Sequence, residues 1–465
     1  MSDQVGSVIL AAGEGTRLKM SCPKPLAPAS GRTLIDFPVL ACKAFCSNCK
    51  IEEQINVIIG HEKEKVAGHL EKFHKNIKSI VQDEQLGTGH ALKCYFEQND
   101  QAKKMDYTVV LCGDTPLISA TEIEKMYRYL KDNKLDGVAA SFTVAGEHQY
   151  GRIVRSQENQ AFKIVEHKDA DQETRKIAEV NSAFYVFKTA FVIEHLYNIK
   201  SDNAAGEFYL TDLFKEEYRV EALLFDDPKL FHGVNDLYQL QKAETFLMSQ
   251  KIKELAESGV RFTDPSHTYV DDEVSIGAGT TVYPNVFLQG KTTIGKDCTI
   301  EPGAILINST IEDGATVRAY SHLEEAILRT EAVVGPFARL RTGSDVGARS
   351  KIGNFVELKK AVLKEEVKAS HLAYIGDAEI GARSNISCGV ITCNYDGANK
   401  HKTIIGEDSF IGSDSQLVAP ITIGSESYVA SGSTITKNVP DGAFAIARGR
   451  QDTKEGMAKR FLKKK

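Results

Sequence analysis

Aliphatic residues recur at every sixth position in three stretches of the second half of the chain. They are Val270, Ile276, Val282, Leu288, Ile294, Ile300 and Leu306; then Leu328, Val334, Leu340, Val346, Ile352 and Leu358; then Ile405, Ile411, Leu417, Ile423, Val429 and Ile435. A helix buries every third or fourth residue and a strand every second, so neither explains a period of six. The period is typical of a parallel β-helix, in which each unit supplies one short strand and a corner. The alternative, a β-sandwich with scattered Ile and Val, does not require such spacing.

Glycine often follows the aliphatic residue, as in Ile276-Gly277 and Ile352-Gly353. This pattern indicates a corner that is either crowded or needs unusual backbone dihedrals. The spacing is lost between Leu358 and Ile405, and we expect the coil to be interrupted there. A solenoid is often a scaffold, so the repeat alone names no chemistry.

The first half alternates apolar stretches with amphipathic ones, which predicts an α/β domain with a mostly parallel sheet. The predicted strands and helices are 7–12, 34–46, 54–60, 63–73 and 107–112. Apolar spacing over 236–257 then predicts one long helix that ends at Ser258-Gly259. We therefore expect three parts: an α/β domain over 1–235, a linker helix over 236–258 and a β-helix domain with its tail over 259–465.

Composition excludes some functions. The 465 residues carry a net charge of −6, which argues against a nucleic-acid binder. The first apolar stretch, 8–12, is too short for a signal peptide, and no run approaches a membrane span. Nine cysteines without paired spacing indicate reduced thiols, so we expect a cytoplasmic protein. Cys42, Cys46 and Cys49 form one cluster, but no nearby His completes a zinc site. The last 15 or so residues, which end with Lys463-Lys464-Lys465, are basic and non-repeating and are expected to be a solvated tail.

A glycine-rich loop follows the first predicted strand. The segment runs Leu10-Ala11-Ala12-Gly13-Glu14-Gly15-Thr16-Arg17, and Pro23-Lys24 follows. Backbone N–H groups of such a loop can surround phosphates while Arg17 and Lys24 neutralise them. A dinucleotide fingerprint would need Gly where Leu18 stands, and a P-loop would need Gly-Lys-Ser/Thr, which is absent. Taken alone, this Gly-x-Gly is equally compatible with an ordinary turn.

The combination of motifs resembles the sugar-phosphate nucleotidyltransferases. The matching residues include Gly-x-Gly-Thr-Arg with Pro-Lys, Gln82, Gln85-Leu86-Gly87-Thr88-Gly89, Gly113-Asp114, Tyr150-Gly151-Arg152, Val165-Glu166-His167-Lys168, Asn181 and Gly233-Val234-Asn235. Joined to a hexapeptide β-helix, the whole chain is similar to the bifunctional uridylyltransferases and acetyltransferases of UDP-N-acetylglucosamine synthesis. This resemblance implies two reactions: acetyl transfer from acetyl-CoA to glucosamine-1-phosphate, and uridylyl transfer from UTP to N-acetylglucosamine-1-phosphate with release of pyrophosphate.

The resemblance also assigns the nucleotide site. Arg17 and Lys24 are expected to act in catalysis by holding the triphosphate, and Asp114 and Asn235 to bind Mg²⁺, which prefers oxygen ligands. The expected UTP and UDP-N-acetylglucosamine contacts are Leu10, Ala11, Ala12, Gly13, Lys24, Gln82, Gly87, Thr88, Cys112, Gly113, Asp114, Gly151, Glu166, Asn181 and Asn235. Cys112 departs from the family, which commonly has Tyr there.

For acetyl transfer the resemblance names His371 as the base, since an imidazole can take a proton near neutral pH. The expected contacts to glucosamine-1-phosphate are Arg341, Glu357, Lys359, Tyr374, Asn385 and Lys400. The expected acetyl-CoA contacts are Cys388, Asn394, Tyr395, Ser413, Ser431 and Arg448. Cys388 also departs from the family, whose wording there is usually Gly-Ala-Gly-Thr.

The family further implies left-handed coiling and a homotrimer whose acetyltransferase sites are shared between chains. Two other functions stay open. The chain could be a nucleotidyltransferase with one activity, whose β-helix serves only for oligomerisation. It could also be a regulatory subunit that kept both folds and lost catalysis. Arg17, Lys24 and Asp114 argue against the regulatory subunit, and His371 argues against the nucleotidyltransferase with one activity.

Overall fold

The computed structural model describes residues 3–155 and 162–462, and only the last three residues of the expected basic tail, 463–465, lie outside them. Contact density divides the chain into two units, 1–247 and 248–465. The strands of the first unit are β1 (Val5–Ala11), β2 (Pro28–Ala29), β3 (Arg32–Thr33), β4 (Ile55–Ile59), β5 (Lys78–Val81), β6 (Tyr107–Cys112), β7 (Gly137–Thr143), β8 (Arg152–Arg155), β9 (Phe162–Val165), β10 (Glu179–Lys188) and β11 (Val220–Phe225). The helices are α1 (Asp36–Cys49), α2 (Lys63–Phe73), α3 (Thr88–Gln98), α4 (Ala120–Asp132), α5 (Thr189–His195) and α6 (Leu237–Glu257).

A nine-stranded sheet forms the centre of the first unit, with strand order β11-β7-β10-β6-β1-β4-β5, while β8 pairs with β10 and β9 pairs with β8. Strands β6, β1, β4 and β5 run parallel. The sheet is mostly parallel, as predicted: β7 and β11 run in the same direction as these four strands, and in this strand order β10 alone opposes them, being antiparallel to β6 and β7. Buried side chains cover both faces of this sheet, so its central strands are apolar almost throughout.

Helix α6 spans 237–257, and the boundary between the two units falls inside it. Leu240 and Ala243 pack in the core of the first unit, and Ile252 and Leu255 join the core of the second. The helix ends where predicted, since the N–H of Gly259, at φ +99°, donates to the carbonyl of Ala256 at 3.0 Å. No helix among the described residues is both long and apolar enough to cross a bilayer.

The second unit is a parallel β-helix, as the six-residue period predicted. Its strands are β12 (Arg261–Phe262), β13 (Tyr269–Val270), β14 (Ser275–Ile276), β15 (Thr281–Val282), β16 (Phe287–Gln289), β17 (Thr293–Ile294), β18 (Thr299–Ile300), β19 (Ile305–Ile307), β20 (Thr310–Ile311), β21 (Thr316–Val317), β22 (His322–Glu324), β23 (Ile327–Leu328), β24 (Val333–Val334), β25 (Arg339–Leu340), β26 (Asp345–Val346), β27 (Lys351–Asn354), β28 (Glu357–Leu363), β29 (Lys368–His371), β30 (Tyr374–Ile380), β31 (Asn385–Ile386), β32 (Ile391–Cys393), β33 (Thr403–Ile405), β34 (Phe410–Ile411), β35 (Gln416–Val418), β36 (Ile421–Ile423), β37 (Tyr428–Val429), β38 (Thr434–Ile435) and β39 (Phe444–Ala445). Each pairs in parallel with its counterpart in the next coil, and every aliphatic residue of the three predicted runs is buried.

The glycines that follow the inward aliphatic residues are explained by crowding. A Cβ on Gly353 would lie 1.8 Å from the carbonyl oxygen of Ser370, and one on Gly277 would lie 2.7 Å from the backbone of Gly295 in the next coil. Neither glycine has a positive φ. Close stacking of adjacent coils therefore explains these glycines, and unusual dihedrals do not.

The expected interruption between Leu358 and Ile405 is wrong as far as Thr392 and is confirmed only at the loop that follows it. The inward positions continue through buried Leu363, Ala369, Ile375, Ile380, Ile386 and Thr392. The six-residue spacing fails because Leu358 to Leu363 and Ile375 to Ile380 are steps of five. Leu306 to Ile311 and Leu323 to Leu328 shorten the same corner, which we call the short corner. Between Thr392 and Ile405 the chain adds a real projection, the Asn394–Lys402 loop.

Candidate active sites

The first site is a cavity of about 320 Å³ at the carboxyl ends of β1, β4 and β6. Because these strands are parallel, their carboxyl ends meet at one edge, where α/β sheets commonly bind ligands. The structure brings eleven of the predicted nucleotide residues to its wall: Leu10, Ala11, Ala12, Gly13, Lys24, Gln82, Gly87, Thr88, Cys112, Gly113 and Asp114. The sequence analysis assigned no contact to the other lining residues, which are Pro25, Ile58, Gln85, Ala91 and Glu207.

The glycine-rich loop folds tightly against Lys24. Gly15 has φ +62°, and a Cβ there would lie 2.4 Å from the Cβ of Lys24. A side chain at this position would therefore be strained and would also displace Lys24. Gln85 holds the other end of the loop, since its Nε2 donates to the carbonyl of Ala12 at 2.8 Å. The loop is thus shaped around the cation that the sequence assigned to the triphosphate.

The predicted cations and metal ligands meet in one cluster. The Nζ of Lys24 contacts the Oδ2 of Asp114 and donates to the Oδ1 of Asn235 at 3.0 Å. Arg17 Nη2 donates to the same Asn235 oxygen at 3.1 Å. Asn235 lies 121 residues after Asp114 in the chain, but Val234 N donates to the Asp114 carbonyl at 2.9 Å and holds the two segments together. Two oxygen ligands and two cations therefore share one small volume.

The predicted sugar contacts lie together beside β8 and β10. Asn181 N donates to the Gly151 carbonyl at 2.9 Å, and a Cβ on Gly151 would stand 3.3 Å from the Oε2 of Glu166. Thr211, which the sequence analysis missed, donates to the Oε1 of Glu166 at 3.2 Å. Burial raises the pKa of the Glu166 carboxyl above its ordinary value. Glu166 is therefore an acceptor that is costly to leave without partners.

A bulge in β10 directs Asn181. The register against β7 shifts between Asn181 and Tyr185, where Ala183 has φ +60°. The Nδ2 of Asn181 donates to the Tyr185 hydroxyl at 2.7 Å, and its Oδ1 accepts from Ala183 N at 3.1 Å.

At the cavity wall, burial raises the pKa of the Cys112 thiol to about 12, so this thiol stays protonated at neutral pH.

On the β-helix, three predicted cations form a second cluster. Arg341 Nη1 donates to the Oε1 of Glu357 at 2.9 Å, and Glu357 is in register with Tyr374 on the next coil. The neighbouring Lys400 and, to a lesser degree, Arg341 lower the pKa of the Lys359 ammonium. Like charges that lie close together repel, so this cluster of cations favours an anionic ligand.

The Asn394–Lys402 loop folds on itself. Tyr395 pairs with Lys400 in an antiparallel bridge. Asp396 accepts from the N–H of Asn399 at 2.6 Å and from His401 Nε2 at 2.7 Å, and these hydrogen bonds, Asn399 first, hold the pKa of its carboxyl well below the usual range. Asn394 Nδ2 donates to Asp377 Oδ2 at 2.5 Å and anchors the loop to the coil. The loop is thus a fixed projection that brings Lys400 to Lys359.

His371 is exposed, and its orientation is set by a residue that the sequence analysis missed. Its Nδ1 lies 2.9 Å from the Oδ1 of Asn354, one coil earlier and in register with it. An amide oxygen only accepts, so Nδ1 carries the proton and Nε2 keeps its lone pair. Nε2 is therefore the ring nitrogen that can accept a proton. Asn354 and His371 lie 17 residues apart, which is one coil, so this spacing could have identified Asn354 from the sequence.

Four of the six predicted acetyl-CoA residues form a column over the last coils, namely Cys388, Ser413, Ser431 and Arg448, whereas Asn394 and Tyr395 belong to the Asn394–Lys402 loop. Gly432 N donates to the carbonyl of Ser413 at 2.8 Å, and Arg448 Nη1 donates to the carbonyl of Ser431 at 2.8 Å. Cys388 is exposed and lies one coil earlier, where its carbonyl accepts from Asp414 N at 2.8 Å. Asn385 donates to the Ser387 hydroxyl at 3.0 Å. The column ends in the cationic side chain of Arg448.

Comparison with known proteins covers both units. The nucleotidyl transferase family matches residues 6–228, and the bacterial transferase hexapeptide family, with six repeats, matches 402–437. The chain is 41% identical to the "Bifunctional protein GlmU" of Geotalea uraniireducens over all of both chains. It is 41% identical to the proteins of that name from Shouchella clausii, over 98% of each chain, and Clostridioides difficile, over 97% of this chain and 96% of that one. Identity at this level over the full length shows that the chain belongs to the bifunctional GlmU family.

Proposed function

We propose that this chain makes UDP-N-acetylglucosamine in two steps. It transfers an acetyl group from acetyl-CoA to glucosamine-1-phosphate, and then a uridylyl group from UTP to the resulting N-acetylglucosamine-1-phosphate with release of pyrophosphate. The observation that supports the proposal is that one chain of this family carries two clusters of such groups: Lys24 and Asp114 on the cavity wall with Asn235 in contact with Lys24, and Arg341 with Lys359 on the β-helix.

Uridylyl transfer is attack by a phosphate oxygen of the sugar phosphate on the α-phosphorus of UTP. The bond from that phosphorus to the pyrophosphate oxygen breaks, and pyrophosphate leaves with the electron pair. The nucleophile is already ionised at neutral pH, so the site needs alignment and charge rather than a strong base. Lys24 and Arg17 supply that charge beside the cavity, and Gln82 with Thr88 line the part where the base is expected.

A magnesium ion fits the oxygen pair of Asp114 and Asn235. Both side-chain oxygens already converge on one cationic group, the ammonium of Lys24, and carboxylate and amide oxygens suit this hard ion. Bound there, Mg²⁺ would neutralise triphosphate charge and favour departure of pyrophosphate. Lys24 would then turn from Asp114 to the phosphates, because a lysine stem is flexible.

In acetyl transfer, the amine nitrogen of glucosamine-1-phosphate attacks the thioester carbon. The carbon–sulfur bond breaks, and the coenzyme A thiolate leaves and is protonated. The amine must lose a proton, which Nε2 of His371 accepts while Asn354 holds the ring in that tautomer. Arg341, Lys359 and Lys400 would bind the sugar phosphate, and the column that ends at Arg448 would bind the phosphates of coenzyme A.

We further propose a homotrimer in which neighbouring β-helices complete each acetyltransferase site. This inference rests on the hexapeptide fold and on the exposure of His371 and Tyr395. Both co-substrates, UTP and acetyl-CoA, belong to the cytoplasm, where we expect the protein to act.

The decisive experiment supplies purified full-length protein with glucosamine-1-phosphate, acetyl-CoA, UTP and Mg²⁺, and measures UDP-N-acetylglucosamine. Formation of the product together with free coenzyme A and pyrophosphate supports both activities. Pyrophosphate release only when N-acetylglucosamine-1-phosphate is supplied, with no free coenzyme A, would indicate a single-activity nucleotidyltransferase. No turnover of either substrate would favour a regulatory subunit.

Substitution of Glu166 by Gln should raise the KM for N-acetylglucosamine-1-phosphate in uridylyl transfer by about tenfold or more, because a hydrogen bond to a charged acceptor contributes about 1.5–3 kcal/mol. Since burial raises the Glu166 pKa, this acceptor loses its charge on acidification earlier than an ordinary glutamate. The wild-type KM should therefore rise as the pH falls towards that pKa.

The substrate phosphate also titrates, so the pH profile of E166Q provides the baseline. An unchanged KM in E166Q, or identical profiles in both proteins, would contradict the assignment. The KM for UTP serves as an internal control and should change little.

A further inference from the structure

Outside both sites, three metal-ligating side chains converge between the start of α1 and the end of α2. The Nε2 atoms of His69 and His74 each lie 2.7 Å from the Oδ1 of Asp36. All three ligand atoms lie within 4.8 Å of one another, and no other such group of three occurs in residues 3–155 and 162–462. The proposed reactions use none of these residues.

The carboxylate of Asp36 is fixed in place. Its residue is only 5% exposed, and its Oδ2 accepts from Thr33 N at 2.7 Å and from Thr33 Oγ1 at 2.8 Å. With Oδ2 occupied, Oδ1 alone faces the two imidazoles. A carboxylate oriented by such outer hydrogen bonds is the usual arrangement around a protein-bound metal.

His74 presents a single nitrogen to this cluster. The residue is 4% exposed, and its Nδ1 is buried with no hydrogen-bond partner in the part of the chain that the structure describes. Its Nε2 is therefore the nitrogen available for binding, and it faces Asp36. His69 is less buried, with 14% of its side chain exposed, so the cluster has one edge open to solvent.

We propose that Asp36, His69 and His74 bind a transition-metal ion such as Zn²⁺ through Oδ1 and the two Nε2 atoms. Two imidazoles and one carboxylate suit Zn²⁺ and do not suit Mg²⁺, so this site differs in ligand chemistry from the one at Asp114 and Asn235. Bonds of about 2.0–2.1 Å at tetrahedral angles need ligand atoms about 3.3 Å apart. The present 2.7 Å separations would open slightly, the two nitrogens would move closer together, and water would enter beside His69 as fourth ligand.

The ion would stiffen a stretch of backbone that is hydrogen-bonded to the wall of the nucleotide cavity. Between Thr33 and Asp36, Leu34 N donates to the Ala27 carbonyl at 3.0 Å and Ile35 N donates to the Pro25 carbonyl at 2.9 Å. Pro25 lines the cavity and follows Lys24 directly. The site thus ties α1 and α2 to the segment that carries Lys24.

The test measures Zn²⁺ binding to full-length protein stripped with a chelator, in excess Mg²⁺, by competition with a chromophoric chelator. Wild type should bind one Zn²⁺ per chain, and H69Q and H74Q should bind it at least about 100-fold more weakly, since losing even an outer partner of a ligand costs 10–100-fold. The matched control is H267Q, which removes an exposed imidazole whose Nδ1 lies 2.8 Å from Asp264 and should not change binding. H69Q is the variant less prone to misfold, because its side chain is partly exposed.

Cobalt provides a second readout on unmodified protein. Bound Co²⁺ should give visible ligand-field bands without thiolate charge-transfer absorption, because the three proposed ligands are a carboxylate and two imidazoles and include no thiol. Absence of stoichiometric Zn²⁺ binding by folded wild type, equal affinity in folded H69Q, or a thiolate spectrum would overturn the proposal. In each case Asp36 would be the acceptor of a hydrogen-bonded His pair only.

Discussion

Asp114→Asn is expected to reduce uridylyl transfer by at least about a hundredfold while acetyl transfer continues at the wild-type rate. The substitution keeps the shape of the side chain but removes the charge that faces Lys24 and the expected Mg²⁺. Losing one preorganised group that stabilises transition-state charge costs about 10²–10³ in rate. Acetyl transfer is unaffected because its groups belong to the other unit. The measurements are UTP-dependent pyrophosphate release and acetyl-CoA-dependent release of free thiol.

The matched control for this variant is Asp136→Asn. Asp136 also pairs with a lysine, since the Nζ of Lys188 lies 2.8 Å from its Oδ1, but neither residue lines the cavity. D136N should keep both activities. A wild-type rate of pyrophosphate release in D114N would show that the metal assignment is wrong, and equal loss of both activities would contradict two independent sites.

His371→Ala should show the opposite division, with acetyl transfer lowered by about 10²–10⁴-fold, the usual contribution of a general base, and pyrophosphate release unchanged. The reason is that Nε2 of His371 is the ring nitrogen that can accept a proton, because Asn354 holds Nδ1. Thiol release from acetyl-CoA, followed over a range of pH, measures the effect.

Two further variants complete this test. His267→Asn removes an exposed histidine of the same unit and should leave acetyl transfer intact. Asn354→Ala should reduce kcat less than H371A, because it frees the ring to adopt the wrong tautomer without removing the base. Full acetyl transfer in H371A would require another proton acceptor on the β-helix.

The sequence predicted most of the nucleotide cavity because its residues occur in compact motifs at the ends of strands. Lys24, Asp114 and Asn235 lie far apart in the chain. Only the resemblance to a known family predicted that they share one site, and in the structure they are in contact. Thr211 escaped notice because the segment around it carries no motif, although it donates to Glu166. Asp36, His69 and His74 were not predicted either, since only the fold brings the start of α1 to the end of α2.

For the β-helix, the period predicted the fold and every inward aliphatic residue of the three runs. The six-residue period failed where the coil is shorter, because it does not describe a step of five residues between inward positions. The apparent interruption after Leu358 therefore came from a single missing residue at the short corner, and Leu363 remains buried on the next face. His371 and Tyr374 lie on ordinary coils, and only the Asn394–Lys402 loop departs from them.

The short corner has a consequence for how this architecture can change in evolution. Removing a residue within a strand would turn every following side chain to the opposite face and expose the core. At the short corner the same loss leaves the inward series intact, as Leu306 to Ile311 and Leu323 to Leu328 demonstrate. At this edge of the solenoid the number of residues per coil can therefore change without exposing the core. Related chains should gain and lose single residues there before anywhere else in the coil.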